Sequence, residues 1–207
     1  MREIIAACAA ILCLNIGSAE AQTNKETEIT QKICEAAKNM QTMTCDFVQT
    51  RRTKMLKNPV VSEGSMTYRQ PDCIVWECKT PNAITFVTNG KRAKVTADGK
   101  TTETELADNK IFKRIMRISK GGFGIENIIG STDFAQSVSE DATEWTVTLT
   151  PLRKELKQMI SSITLKADKK DAVVKTIIVT DKNGDTTTSQ FKNIVINGKI
   201  DGGLFSF

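Results

Sequence analysis

The 207-residue chain carries 29 Lys and Arg against 24 Asp and Glu, a formal charge of +5, and contains no histidine. The missing imidazole excludes Ser-His-Asp and Cys-His triads and every histidine-ligated metal site. Mild basicity without clustered aromatics on a basic face argues against nucleic acid, and leaves simple solubility or attraction to anionic lipid head groups as its use.

The N-terminus reads as a cleavable secretory signal over residues 1–21. Arg2 precedes an apolar run from Ile4 to Ile16, and Ala19-Glu20-Ala21 supplies the small-residue exit. The run of about thirteen residues falls short of the roughly 20 needed to span a bilayer. Ile5-Ala6-Ala7-Cys8 has the small residues of a lipid-attachment site, but too little apolar sequence precedes Cys8 for that reading. The expected product is a single domain, residues 22–207, more basic by one unit.

From about Lys25 to Met40, the residues Ile29, Ile33, Cys34, Ala36, Ala37 and Met40 recur at steps of three and four and predict an amphipathic helix. The period then changes to two. Strands are predicted near 44–54, 60–69, 73–79, 83–88, 91–97 and 101–106, separated by Asn58-Pro59, Gln70-Pro71-Asp72, Pro81-Asn82, Asn89-Gly90 and Asp98-Gly99. A second helical pattern places Ile111, Phe112, Ile115 and Met116 on one face, with lysines and arginines mostly around the other, and stops at Gly121-Gly122. Strands resume near 133–139, 144–150, 160–167, 173–180 and 185–195, with Asn183-Gly184 as a hairpin signal, and the chain ends in an alternating Leu204-Phe205-Ser206-Phe207.

Connections this short force antiparallel neighbours. About eleven strands are too many for one flat, strongly twisted sheet, so the sheet is expected to curl, with the two helices covering its concave face.

Few residues suggest chemistry. There is no Cys-x-x-Cys, Gly-x-Ser-x-Gly or Walker-type loop after the leader, and Gly121-Gly122-Phe123-Gly124 follows a helix where a phosphate cradle would lead into one. Asp181 and Asp185 flank a turn, where Asp is expected structurally. No catalytic residue, metal or cofactor is therefore expected. Cys34, Cys45, Cys73 and Cys78 remain after the leader. Cys73 and Cys78 lie on opposite faces of one strand, roughly 16 Å apart, and cannot bond to each other. A Cys34–Cys45 bridge and buried free thiols both stay open.

Period-two parity gives the candidate site. Anchored on Trp76, one face holds Ile74 and Cys78, with Met66, Tyr68 and Gln70 from the preceding strand, Cys45, Phe47 and Gln49 from the first, and Ile84 and Phe86 from the next. Ile29 and Ile33 would face this wall from the first helix, and Phe112, Ile115 and Met116 from the second. Such stripes line either an ordinary core or a binding surface.

The ordered set Cys45-Asp46-Phe47-Val48-Gln49-Thr50, Ser62-Glu63-Gly64-Ser65-Met66-Thr67-Tyr68, Pro71, Trp76-Glu77, Phe86-Val87-Thr88-Asn89-Gly90-Lys91, Trp145 to Pro151, Gly184-Asp185-Thr186 and Phe205-Ser206-Phe207 covers nearly the whole chain after the leader. It resembles the LolA-type periplasmic outer-membrane lipoprotein carriers. The resemblance implies an unclosed, strongly curved antiparallel β half-barrel with a helical lid and a monomeric, non-enzymatic carrier. Its cavity would hold the acyl chains of lipoproteins between an inner-membrane release complex and an outer-membrane acceptor. The same fold also suits a lipid-binding sensor or a fixed envelope module, and a structural envelope protein or an enzyme with an unrecognised site are rival classes. In the family an Arg directly before the proline latches the lid. Here Gln70 precedes Pro71, and Arg69 lies on the opposite face, so the latch lacks charge assistance and should be weaker.

Overall fold

A computed structural model describes residues 16–105 and 128–207, with side chains from Asn24 onward. The second helical pattern, with Phe112, Ile115 and Met116, and residues 1–15 of the leader lie outside the described residues.

Eleven strands form a single antiparallel sheet: β1 (Thr42–Arg52), β2 (Val60–Arg69), β3 (Cys73–Thr80), β4 (Ile84–Asn89), β5 (Arg92–Ala97), β6 (Lys100–Glu105), β7 (Phe134–Glu140), β8 (Glu144–Pro151), β9 (Ile160–Asp168), β10 (Val174–Asp181) and β11 (Thr186–Ile196). Their order across the sheet is β6-β5-β4-β3-β2-β1-β11-β10-β9-β8-β7. Two meanders are thus joined at β1–β11, and β6 and β7 do not pair with each other, which leaves an open half-barrel. The exposed edge at β6 is all Lys, Thr and Glu, a composition that discourages edge-to-edge association.

One helix, α1 (Ile16–Lys38), covers one face of this sheet, and a single turn, α2 (Lys154–Lys157), follows β8. The helical pattern expected from Lys25 therefore extends upstream to Ile16. Ile29, Ile33 and Ala37, spaced by four, put one stripe of α1 onto Val147 and Leu149 of β8, Leu165 and Ala167 of β9 and Val174 of β10. Lys32 lies 5.7 Å from the centroid of the Trp145 ring and adds a cation–π contact to the same docking. Among the described residues, no helix is long and apolar enough to cross a membrane.

The last turn of α1 leaves carbonyls without intrahelical donors, and side chains supply them. Gln70 Nε2 donates to the Lys38 carbonyl at 3.2 Å, and Asn197 Nδ2 to that of Asn39 at 3.1 Å. Asn197 Oδ1 in turn accepts from the Gln41 amide at 2.8 Å, so the β2–β3 turn and the end of β11 jointly fix the start of β1.

The C-terminal alternation does not form a strand. Asp201 accepts from the Gly203 amide at 2.9 Å and opens a 3-10 turn, η1 (Gly202–Phe205). Gly202-Gly203 favours the turn. Phe205 is buried on the outer face against β3 and β4, with the Arg69 guanidinium 4.5 Å from its ring centroid. Arg69 thus points away from the face that α1 covers, as its parity requires.

Glu140, the last residue of β7, ties α1 to the sheet. Its carboxylate meets Lys25 of α1 and, at 2.6 Å, Lys169 of the β9–β10 turn. The hydrogen bond from Lys169, followed by that from Lys25, lowers its pKa to about 2. A depressed carboxylate stabilises the fold above its unfolded value and loses that contribution as pH falls through the folded one. Wild-type protein is therefore expected to have a higher urea midpoint than Glu140→Gln at pH 6 and low salt, with the difference shrinking below about pH 4.5 and vanishing near pH 2. Because the pair is exposed, salt should shrink it too. Equal midpoints at pH 6 would contradict this role.

Candidate functional site: the helix-covered face of the sheet

Cross-strand registers decide which side chains share the covered face. Cys45 opposes Met66, Met66 opposes Trp76, and Trp76 opposes Phe86, a continuous row across β1 to β4. A second row runs Met43, Tyr68, Ile74 and Thr88. A third runs Phe191, Phe47, Gly64, Cys78 and Ile84. The parity reading anchored on Trp76 thus brings Phe47, Met66, Tyr68, Ile74, Trp76, Ile84 and Phe86 onto one face.

Phe47, only 2% exposed, is the centre of this wall. Its ring stacks on Trp76 with centroids 4.0 Å apart and planes at 27°, and the edge of Phe191 meets Trp76 at 6.4 Å and 87°. Phe47 also lies over Gly64, its cross-strand neighbour, where any side chain would occupy the space of the ring. Tyr68 directs its hydroxyl to the Pro71 carbonyl at 3.4 Å, which lets a phenol lie in an otherwise apolar row.

Exposure is graded along the wall. Met43, Met66, Tyr68 and Ile74 are buried, whereas Trp76, Cys78 and Phe86 are half-buried and Ile84 is 39% exposed. The gradient runs across the strands from β1 to β4 and, within β3 and β4, toward the end of the sheet that carries the β3–β4 connection.

Across β1–β11 the face continues into a second apolar region. Gln49, two residues beyond Phe47, donates to Ser189 Oγ at 3.1 Å, forming a polar strip at the seam. Beyond it Ser189 opposes Ile177, Ile177 opposes Leu165, and Leu165 opposes Val147. Ile177 packs against both apolar groups and joins them. Ile29 and Ile33 belong to this second group, not to the one around Phe47; Met40, just past α1, reaches the first. Phe112, Ile115 and Met116 lie outside the described residues.

The sequence reading missed Val147, Leu149, Ile163, Leu165 and Phe191. Their alternation is plain in Trp145-Thr146-Val147-Thr148-Leu149 and Ile163-Thr164-Leu165. What assigns that parity to the same face as Trp76 is the β1–β11 pairing, which joins residues more than a hundred positions apart.

Burial pushes the Cys45 thiol up to about 12, with the adjacent Asp46 carboxylate adding to it, so Cys45 is neutral and acts as a small apolar group. No disulfide joins Cys34, Cys45, Cys73 and Cys78 to one another. Among the described residues no group of three or more Cys, Asp or Glu side chains is placed to hold a metal ion.

Residues 38–207 match the family described as Outer membrane lipoprotein carrier protein LolA. The chain belongs to that family. Its fold is shared with MucB of Pseudomonas aeruginosa solved with MucA, at TM-score 0.53 and 11% identity over 87% of this chain and 60% of that one. A DUF1329 protein from Desulfovibrio piger aligns at TM-score 0.50 and 9% identity over 87% and 96% of the two chains. The lipoprotein LppX of Mycobacterium tuberculosis aligns at TM-score 0.50 and 9% identity over 84% and 96%. No curated protein matches the sequence. The open β half-barrel is thus shared by proteins with different names. Gln70 reaches the end of α1 through the Lys38 carbonyl.

Proposed function

We propose that this protein is a non-enzymatic periplasmic carrier that holds the acyl chains of lipoproteins against the covered face of the sheet and passes them from the inner to the outer membrane. The observation that carries the reading is the graded wall. A continuous apolar row from Cys45 to Phe86 runs from buried side chains to half-buried ones instead of closing off as a sealed core. An acyl chain entering beside Trp76, Phe86 and Ile84 would replace water on apolar surface at both ligand and wall. Burying a dozen methylenes yields roughly 10 kcal/mol before the costs of opening and ordering. Flexible Met43 and Met66 suit chains of varied length. Family membership supports the same reading. An inner-membrane release complex and an outer-membrane acceptor are the partners it calls for; nucleic acid, metal and cofactor play no part, and the carrier works as a monomer.

The alternative is a lipid-binding sensor or fixed envelope module on this fold. It draws support from the MucB structure, in which the shared fold is bound to another protein, MucA.

Incubating the purified protein with inner membranes that carry a labelled lipoprotein separates the two. Carriage predicts release of label into a soluble complex and its delivery to acceptor membranes. Trp76→Asp, at a half-buried position, should abolish release while leaving the far-UV circular dichroism unchanged. Bound lipid that never exchanges would favour the sensor, and release undiminished in Trp76→Asp would remove the wall from the mechanism.

A further inference from the structure

Among the described residues ten large apolar side chains are exposed, and seven of them, Met55, Leu56, Val60, Val61, Ile84, Leu152 and Met159, lie at one end of the sheet, where β1, β3 and β8 finish, while Val195, Ile196 and Leu204 lie elsewhere. The extreme case is the β1–β2 connection, in which Met55 is 93% and Leu56 53% exposed. Isolated exposed apolar residues are ordinary, but a cluster at one end marks an interaction surface.

Three connections build this rim, and they are fastened side by side. The Lys54 amide donates to Asp185 Oδ1 at 3.0 Å, joining the β1–β2 loop to the β10–β11 turn. The Lys182 amide donates to the Met159 carbonyl at 3.3 Å, joining that turn to the segment between β8 and β9. Met55-Leu56 and Met159 are therefore parts of one surface.

Its charge is one-sided. Residues 51–61 contain Arg51, Arg52, Lys54 and Lys57, all exposed, and no carboxylate. Acids at this end have partners: Asp181 accepts from the Asn183 and Asp185 amides at 2.7 and 3.0 Å, Asp185 accepts from the Lys54 amide, and Asp133 lies 3.5 Å from Arg153. Glu155 stands beside Arg153 at 3.8 Å.

We infer that this rim docks on an anionic phospholipid surface, with Met55 and Leu56 entering the head-group layer and the flanking cations meeting lipid phosphates. A protruding apolar tip set between cations is complementary to a bilayer interface, where apolar atoms find depth and cations find a dense negative surface. Two apolar side chains give a shallow, reversible contact that releases the protein again. The half-buried end of the wall, Ile84, opens on the same end of the sheet, so docking would present it to the bilayer. The inference does not depend on acyl carriage, because surface binding is measured without any lipoprotein.

The test is co-sedimentation of the purified protein with vesicles of phosphatidylglycerol and phosphatidylethanolamine, against vesicles of phosphatidylcholine alone. Binding is expected on the anionic vesicles, falling steeply as salt is raised from about 25 to 300 mM. Met55→Ser with Leu56→Ser, and separately Lys54→Glu with Lys57→Glu, should each weaken partitioning roughly tenfold. Circular dichroism should be unchanged, since these side chains are exposed. Lipoprotein loading in solution, tested with the Met55→Ser/Leu56→Ser protein, reports on the carrier reading separately. Equal binding to phosphatidylcholine, wild-type partitioning by both variants, or no binding to vesicles would overturn the inference. Salt-sensitive capture by polyglutamate without vesicle binding would overturn it as well and assign the rim to an acidic protein.

Discussion

Replacing Phe47 with alanine should lower the unfolding free energy by about 3–5 kcal/mol, the range for deleting a fully buried aromatic ring. Three contacts converge on this ring: the stack on Trp76, the roof over Gly64 and the cross-strand partner Phe191. None can close the gap. Gly64 has no side chain to lean in, while Trp76 and Phe191 are positioned by their own strands, so most of the cavity persists. Phe86→Ala, at a half-buried position one strand beyond Trp76, should cost clearly less. Urea titrations followed by far-UV circular dichroism give both numbers. Near-equal losses would mean that Phe47 is no more central than the rim of the wall.

The same residues show what a sequence can and cannot specify here. Strand bounds follow closely from turn signals; the expectation of a strand at 60–69 coincides with Val60–Arg69, and 185–195 differs by one residue from Thr186–Ile196. In the first meander, short hairpins propagate register from strand to strand. A face anchored at Trp76 therefore reaches Phe47 two strands away and Phe86 one strand away without error. The second meander joins the first through β1–β11, between residues more than a hundred positions apart, so the second apolar group escaped assignment although each of its strands alternates openly. Ile29 and Ile33 illustrate the same gap. Their spacing identifies the buried stripe of α1, but periodicity says nothing about which half of the sheet receives it, and β8–β10 does. At the end of the chain Asp201-Gly202-Gly203 decides the local structure, because its side-chain cap and glycines favour a 3-10 turn. Gln70 is the expected latch of the lid; the bond its side chain makes among the described residues is to the Lys38 carbonyl at the end of α1.

The adjacent Gly64 should be nearly as sensitive as Phe47, for the opposite reason. A methyl group built there lies 1.8 Å from the Glu77 carbonyl oxygen and 2.7 Å from Phe47 Cζ, both far inside contact distance. The first clash is with backbone. It sits where the β2–β3 register shifts between Glu63 and Gly64, so relief requires the two strands to separate and give up ladder hydrogen bonds. Gly64→Ala is accordingly expected to cost about 3 kcal/mol, the upper part of the range for overpacking. Trimming the ring tells the two clashes apart. In a double-mutant cycle with Phe47→Leu, removal of the Cζ contact should recover less than half of the Gly64→Ala loss, because the Glu77 oxygen stays where it was. Recovery of most of the loss would place the constraint in the ring and not in the strand pairing. The covered face would then owe its depth at this point to Phe47 alone.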